Sequence, residues 1–394
     1  MKKRILSSCL VLIMLCSIIG STVVATISET EINRTTIEDY VMEQVEAFSV
    51  IDDAWNETTQ IVDRIPLYAP DDSLNGYIFN FETNGKKSGF MQVGILEKEL
   101  YVVNLGFEGN DLLNKMINHH NILKAESMVK EIQGGERMIA DLDPSSKVYY
   151  TGGFNYYVYS ENNELVSLAE NKVVKNGISE VNISYISYIE NMMEKEANKS
   201  SERQQVNVQR ATENYTVRGY STAASRMKTM NYWSNYSDHC APTAAVNMVM
   251  YWKYGRGFFA NHAASSSQTS VFNWFYNAME TNQGSAGTDR AKIWPAYAEY
   301  FTEYSGASTA ISDRVTWVTF DKIRTRMDED IPVHLSISNY ENVGGHSVNV
   351  WGYSIVNSNE YLRISDNWGS NHSNILIAYN SYNYPQYVFY GLSA

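Results

Sequence analysis

The chain has 394 residues, with 31 Lys and Arg against 44 Asp and Glu, giving a formal net charge of −13. That length suits two or three domains, and 44% hydrophobic with only 19% charged residues excludes a disordered polyelectrolyte. A pI of about 5.1 argues against nucleic acid as a partner and against docking to anionic lipid, since both need a basic footprint.

The first 25 residues read as a secretory signal. Lys2, Lys3 and Arg4 precede an apolar run from Leu10 to Gly20, and Val23-Val24-Ala25 ends on a small residue suited to cleavage. The run is too short for a membrane span, and no other stretch approaches the ~18 apolar residues that a span needs, so no span is expected once the signal is removed. Of the three cysteines, Cys9 and Cys16 would leave with the signal. Cys240 would then be exported as a lone thiol, which in an oxidising compartment is buried, paired with another molecule or chemically employed.

After the signal, Ile37–Phe48 has helical spacing. From about Ile65 to Val174 the pattern is β-like: Tyr77–Phe81, an Asn84-Gly85 turn, Gly89–Ile95 and Leu100–Val103 form a meander of short strands. The count of 29 Tyr leans the same way. Ile183, Ile186 and Ile189 recur at helical spacing, and the polar stretch after them lacks apolar periodicity. The expected organisation is a signal at 1–25, a β-rich domain at 26–195, a linker at 196–214 and a second domain at 215–394.

In the second domain, Ser237–Ala245 looks like a helix start. Ser237 or Asp238 can cap it, and Pro242 fits the first turn, where a missing N–H costs nothing. Ala244, Met248, Tyr251 and Trp252 then mark a buried stripe. Cys240 would sit at the positive end of the helix dipole, which favours thiolate. Taken alone, the segment reads equally as a small side chain filling a helix start. His346 opens a strand with Val348 and Val350 on its face, and Asp366 closes one with Leu362 and Ile364 on its face. An antiparallel hairpin centred near residue 356, beside the turn-prone Asn357-Ser358-Asn359, sets His346 directly opposite Asp366. A helix-start Cys, an imidazole and an orienting acid make a nucleophile, base and orienter.

The other histidines read differently. His119, His120, His262, His334 and His372 are structural or surface, and His239 adjoins Cys240 but cannot face it on a helix. No His and Cys pair has ligand spacing beyond that adjacent couple, so neither metal nor cofactor is expected.

At these residues the sequence resembles a papain-like cysteine peptidase, closest to the bacterial branch of double-glycine-leader peptidases that process bacteriocins. Cys240-Ala241-Pro242-Thr243-Ala244-Ala245 resembles the nucleophile helix. Gly345-His346 with Val348, Val350, Gly352 and Tyr353 resembles the histidine strand, Asp366-Asn367-Trp368-Gly369 the acid motif, and Asp330-Ile331-Pro332-Val333 the strand before the histidine. The family commonly places a Gln about six residues before the nucleophile as an oxyanion donor. Here that position is Ser234, with Asn235 beside it as the substitute amide and Asn231 nearby. In the first domain, Tyr68-Ala69-Pro70-Asp71, Gly76–Phe79 and Gly89-Phe90-Met91 resemble the β-rich propeptides of streptopain-type proteases.

The resemblance implies an α+β papain-like peptidase domain, with a nucleophile helix on an antiparallel sheet, behind a β-rich propeptide-like domain. It implies a secreted zymogen with Cys240, His346 and Asp366 as its catalytic set, a protein or peptide as substrate and its own propeptide as inhibitor. The rival readings are a transglutaminase-like or cell-wall amidase acyl transferase and an inactive secreted binding protein of the same fold.

Overall fold

The computed structural model describes residues 34–109, 111–132, 140–205, 212–259, 267–338, 345–368 and 374–393. The expected signal, Gly369, His262 and His372 lie outside them. None of the described helices is long and apolar enough to cross a membrane.

The N-terminal half opens with helix α1 (Arg34–Ser49). Ile37, Val41, Val45 and Phe48 fall on one helical face and are buried with Trp55, Phe79 and Phe81. Strands β1 (Gln60–Tyr68), β2 (Leu74–Thr83), β3 (Lys86–Leu96) and β4 (Glu99–Gly106) form the expected meander. Asn84 and Gly85, both at positive φ, close the β2–β3 hairpin between Thr83 and Lys86, as an Asn-Gly two-residue turn does.

Helix α2 (Leu112–Ile132) interrupts what the sequence presents as continuous β-structure. Asp111 caps it by accepting from the Asn114 N–H at 2.8 Å. Its buried positions include Lys115, His119 and His120 beside Leu112, Leu113 and Met116, so the apolar period is broken by polar residues. Short strands β5 (Val148–Tyr150), β6 (Tyr156–Tyr159), β7 (Leu165–Ser167) and β8 (Lys172–Val173) come next, then helix α3 (Ile178–Gln205). Here Ile183 and Ile186 point to solvent, while Val181, Tyr188 and Met192 are buried. The first part of the expected linker is thus the end of α3.

In the C-terminal half, strand β9 (Glu213–Thr216) and helix α4 (Tyr220–Ala224) lead to α5 (Cys240–Met250), α6 (Gln268–Ala278) and α7 (Arg290–Tyr304). Strand β10 (Ser308–Val315) and helix α8 (Phe320–Asp328) precede β11 (Val333–Ser338), β12 (His346–Val356), β13 (Asn359–Ser365), β14 (Ile375–Ala378) and β15 (Asn383–Ser393). The strand order β10-β15-β11-β12-β13-β14-β4-β3-β2-β1-β5-β6-β7-β8, with β9 on β12, makes one large mixed sheet. The two halves join where β14 pairs antiparallel with β4, Ile375 against Gly106 and Ile377 against Asn104. One apolar core runs through both, from Phe90 and Tyr156 to Val246 and Trp351. The fold is mixed α/β, with α5 held on β12 by the Asn349 amide donating to the Ala244 carbonyl at 2.9 Å.

Candidate active site

Cys240 is the first residue of α5, so its N–H is among the helical donors with no intrahelical acceptor. The cap differs from expectation. His239 occupies the N-cap position without a side-chain cap bond, Asp238 lies in the left-handed region, and the Ser237 carbonyl accepts from the Asn282 amide. A buried His239 instead bonds Thr243 one turn on, Nδ1 to Oγ1 at 3.0 Å. The buried stripe also proves wider than the sequence suggests: every residue from Ala241 to Met250 is buried.

The half-buried Cys240 has its thiol pushed above the ordinary value by burial. The N–H and hydroxyl of Ser347 and the N–H of Ala241 pull it down, and Asp238 adds to the rise. Desolvation therefore outweighs the helix-start effect that the sequence suggests.

His346 begins β12 as expected, but its register with β13 differs. A two-residue turn of Asn357 and Ser358, both at positive φ, pairs Val356 with Asn359. A bulge at Trp351 then sets Val350 against Ile364 and Asn349 against Ser365. Continued three residues further, this register puts residue 346 opposite residue 368, two places beyond Asp366. The His346 and Trp368 rings are in fact stacked, with centroids 3.7 Å apart and planes 7° apart. Because the offset is even, Asp366 keeps its place on the His346 side of the sheet; without the bulge it would fall on the other face.

The imidazole still meets Asp366, though through the backbone. His346 Nε2 donates to the Asp366 carbonyl at 2.6 Å, which leaves Nδ1 as the nitrogen with the lone pair. Burial pushes this imidazole down to about 4, against the opposing pull of Asp366 and with a further push from His119. The Asp366 carboxylate is fully buried. One oxygen accepts from the Trp368 N–H at 3.0 Å, and the other pairs with Lys115 Nζ at 2.9 Å.

Among the described residues of the N-terminal half, Lys115, His119 and Phe154 therefore stand on this site. His119, which the sequence offers as structural, bonds Asn231 through Nδ1 to Oδ1 at 2.5 Å and lies close enough to lower the pKa values of both His346 and His239. Phe154 packs edge-on against His346 and Trp368. Nothing in their own segments marks them as site residues, because their partners at the site lie more than 100 positions away in the chain.

Asn367 is a further residue that the sequence places only within a motif. In the left-handed region at φ 63, it donates to the Ser347 carbonyl, accepts from the Asn247 amide, and accepts the Met230 N–H on its carbonyl at 2.8 Å. It thereby ties the acid loop to β12, to α5 and to the segment before the nucleophile. Asn235 is exposed on the turn before α5, whereas Asn231 is half-buried. His334 bonds Tyr297 and His120 the Ala140 carbonyl. Among the described residues no group of His, Cys, Asp and Glu could hold a metal ion.

A nucleophile at a helix start, an imidazole with one committed nitrogen and a buried acid together suit acyl transfer through sulfur. A model of the Peptidase_C39 like family matches residues 209–391, the half that carries these three groups. The match supports a cysteine peptidase of the papain-like, C39-like kind. No curated protein matches the chain.

Proposed function

We propose that the chain is a secreted cysteine peptidase made as a zymogen, in which Cys240, His346 and Asp366 hydrolyse peptide bonds and the N-terminal half is the inhibitor. The observation that carries this reading is the buried Lys115–Asp366 pair, in which one half of the chain engages the acid of the other. In the working enzyme the Cys240 thiolate attacks the peptide carbonyl carbon, a C–S bond forms and the C=O electron pair moves to oxygen. The intermediate collapses as the C–N bond breaks, and the protonated Nδ1 of His346 gives its proton to the leaving amine. His346 then takes a proton from water, which attacks the thioester, releases the acid product and restores the thiolate.

The same side chains explain latency. With the thiol pushed up and the imidazole pushed down, thiol and imidazole are both neutral near pH 7, and the reactive thiolate–imidazolium pair is not formed. A secretory signal at residues 1–25 agrees with an enzyme that is kept inactive until export.

The test uses the full chain and a thiol-directed peptide epoxide. Labelling of Cys240 that rises together with hydrolysis of labelled casein as the chain is cut between the halves and the N-terminal half is degraded is the expected result. Full activity in uncut chain removes the zymogen; amine incorporation without hydrolysis favours a transglutaminase-like enzyme.

A further inference from the structure

Strand β14 is shorter than the strands on either side of it. It pairs with β13 from Ile364↔Ile375 to Tyr361↔Ala378 and with β4 from Gly106↔Ile375 to Asn104↔Ile377, and after Ala378 the chain turns out of the sheet. Lys195 of α3 holds it out, with Nζ donating to the Asn380 and Tyr382 carbonyls at 3.1 and 2.7 Å. Strands β13 and β4 run on past this point, to the Asn357-Ser358 turn and the Glu97-Lys98 turn, and among the described residues no strand lies between them there. The result is a gap one strand wide, part of a cleft of about 830 Å³ to which Glu99, Leu100, Glu360 and Tyr361 contribute. We propose that this gap takes a short extended segment of another polypeptide, with basic and apolar residues in alternation, as a strand between β13 and β4.

The walls select that occupant. Leu100 and Tyr361 belong to the apolar cluster beneath α1, where the Phe48 and Tyr361 rings meet edge-on at 5.1 Å. Tyr101 and Leu362 pack into the other core, on the opposite face of the sheet. Strand alternation therefore puts Glu99 on the face of Tyr101 and Glu360 on the face of Leu362. Two carboxylates flank the gap on one face, and Leu100 and Tyr361 flank it on the other. An extended guest would set every second side chain between the carboxylates and the rest between the apolar walls. Glu97 adds a third carboxylate at the turn, and no Lys, Arg or His lines the cleft. Among the described residues no group of His, Cys, Asp and Glu could hold a metal ion, so the cations that fit are lysine and arginine side chains. Tyr40 of α1 stands at the inner end, its hydroxyl hydrogen-bonded by the Val102 backbone. An edge group of β4 is thus met by a side chain instead of a strand, and such edges recruit extended peptides.

The gap stands at the start of β13 and Asp366 beyond its end, about 20 Å along the strand, so an occupant leaves the catalytic groups uncovered. Its walls come from both halves of the chain, so an occupant also bridges them. The probe is an acetylated, amidated hexapeptide of alternating Lys and Val, titrated into the full chain at low salt by calorimetry. It should bind with a micromolar Kd and raise the denaturation midpoint, whereas its Glu-Val counterpart should not bind. A Lys-Val peptide methylated on its backbone nitrogens keeps its charge but cannot pair as a strand, and its Kd should be about tenfold higher or more. Glu99→Gln with Glu360→Gln should weaken the Lys-Val peptide about tenfold or more. Glu57→Gln with Glu161→Gln, at exposed carboxylates outside the cleft, should leave its Kd within about twofold. The rival is general attraction to a chain of net charge −13. Equal binding of the methylated peptide, or an equal loss in the Glu57 and Glu161 pair, would establish that rival and overturn the proposal. Absence of binding at millimolar Lys-Val peptide overturns it as well.

Discussion

Lys115 Nζ lies 2.9 Å from Asp366 Oδ2, joining residues 251 positions apart, with the carboxylate fully buried and the ammonium nearly so. Such a pair barely offsets its own desolvation, yet removing one partner strands the other charge at a cost of about 3–5 kcal/mol. Lys115→Met should therefore lower the denaturation midpoint of the full chain. If the pair restrains the site, the same variant should raise the rate of Cys240 labelling in uncut chain about tenfold or more, while Lys115→Arg keeps the site quiet. Calorimetry and labelling of intact chain, monitored by mass, give both readouts. A Lys115→Met chain that is destabilised but labelled no faster would reduce the pair to a structural role.

The pKa directions at Cys240 and His346 set a second expectation. In uncut chain the thiolate is scarce until the pH exceeds the ordinary thiol value, because burial opposes charge on sulfur. Iodoacetamide rates on uncut chain should climb only in the alkaline range. After the chain is cut and the N-terminal half degraded, admission of water and release of His346 from its low value should move the climb to lower pH. An identical profile before and after processing would show that the N-terminal half does not control the sulfur.

Much of this architecture is legible in the residues, and its failures have identifiable causes. The α1 face of Ile37, Val41, Val45 and Phe48 obeys one period, and the Asn84-Gly85 turn states its own geometry. The order of Cys240, His346 and Asp366 is also visible. Helix α2 is hidden because its buried face carries Lys115, His119 and His120, whose burial is justified only by partners elsewhere in the chain. The hairpin register is misplaced by two because its turn is the Asn357-Ser358 pair and a bulge sits at Trp351. Neither feature can be read from strand periodicity, which is blind to an inserted residue.

Acid should destabilise the chain steeply. Burial pushes His239 and His334 down to about 3 and His346 to about 4, whereas the unfolded chain protonates each near pH 6.5. A folded value below the unfolded one means that the unfolded state binds more protons between these limits. The stability these groups contribute is then complete above pH 6.5 and falls as the pH drops toward 4. Three such groups give a slope of up to about 4 kcal/mol per pH unit in the lower part of that window. Urea midpoints from pH 7 to 4.5 measure it, and His334→Asn should remove about a third of the slope. A flat profile would mean that these imidazoles are not held neutral.

The shared sheet limits both the place at which the chain can be cut and the fate of the two pieces. Strand β9 pairs with β12 from Glu213↔Ile355 to Thr216↔Gly352, and just beyond it Arg218 is ion-paired with the buried Asp330, which also accepts from the Tyr215 hydroxyl at 2.7 Å. A cut after Thr216 would strip a strand from the histidine strand. A cut before Gln205 would have to open α3, which is anchored by Lys195 Nζ on the Asn380 and Tyr382 carbonyls. Cleavage should therefore fall between α3 and β9, and the N-terminus of the processed C-terminal half should lie between residues 206 and 213 by mass spectrometry. Scission alone should not separate the halves, because β4 remains paired to β14 and Leu105 and Leu376 remain buried beside that junction. The cut halves should elute together in gel filtration at pH 7.5 and come apart only in acid or denaturant, or as the N-terminal half is degraded. Elution as two species at neutral pH directly after the cut would show that the shared sheet does not hold them.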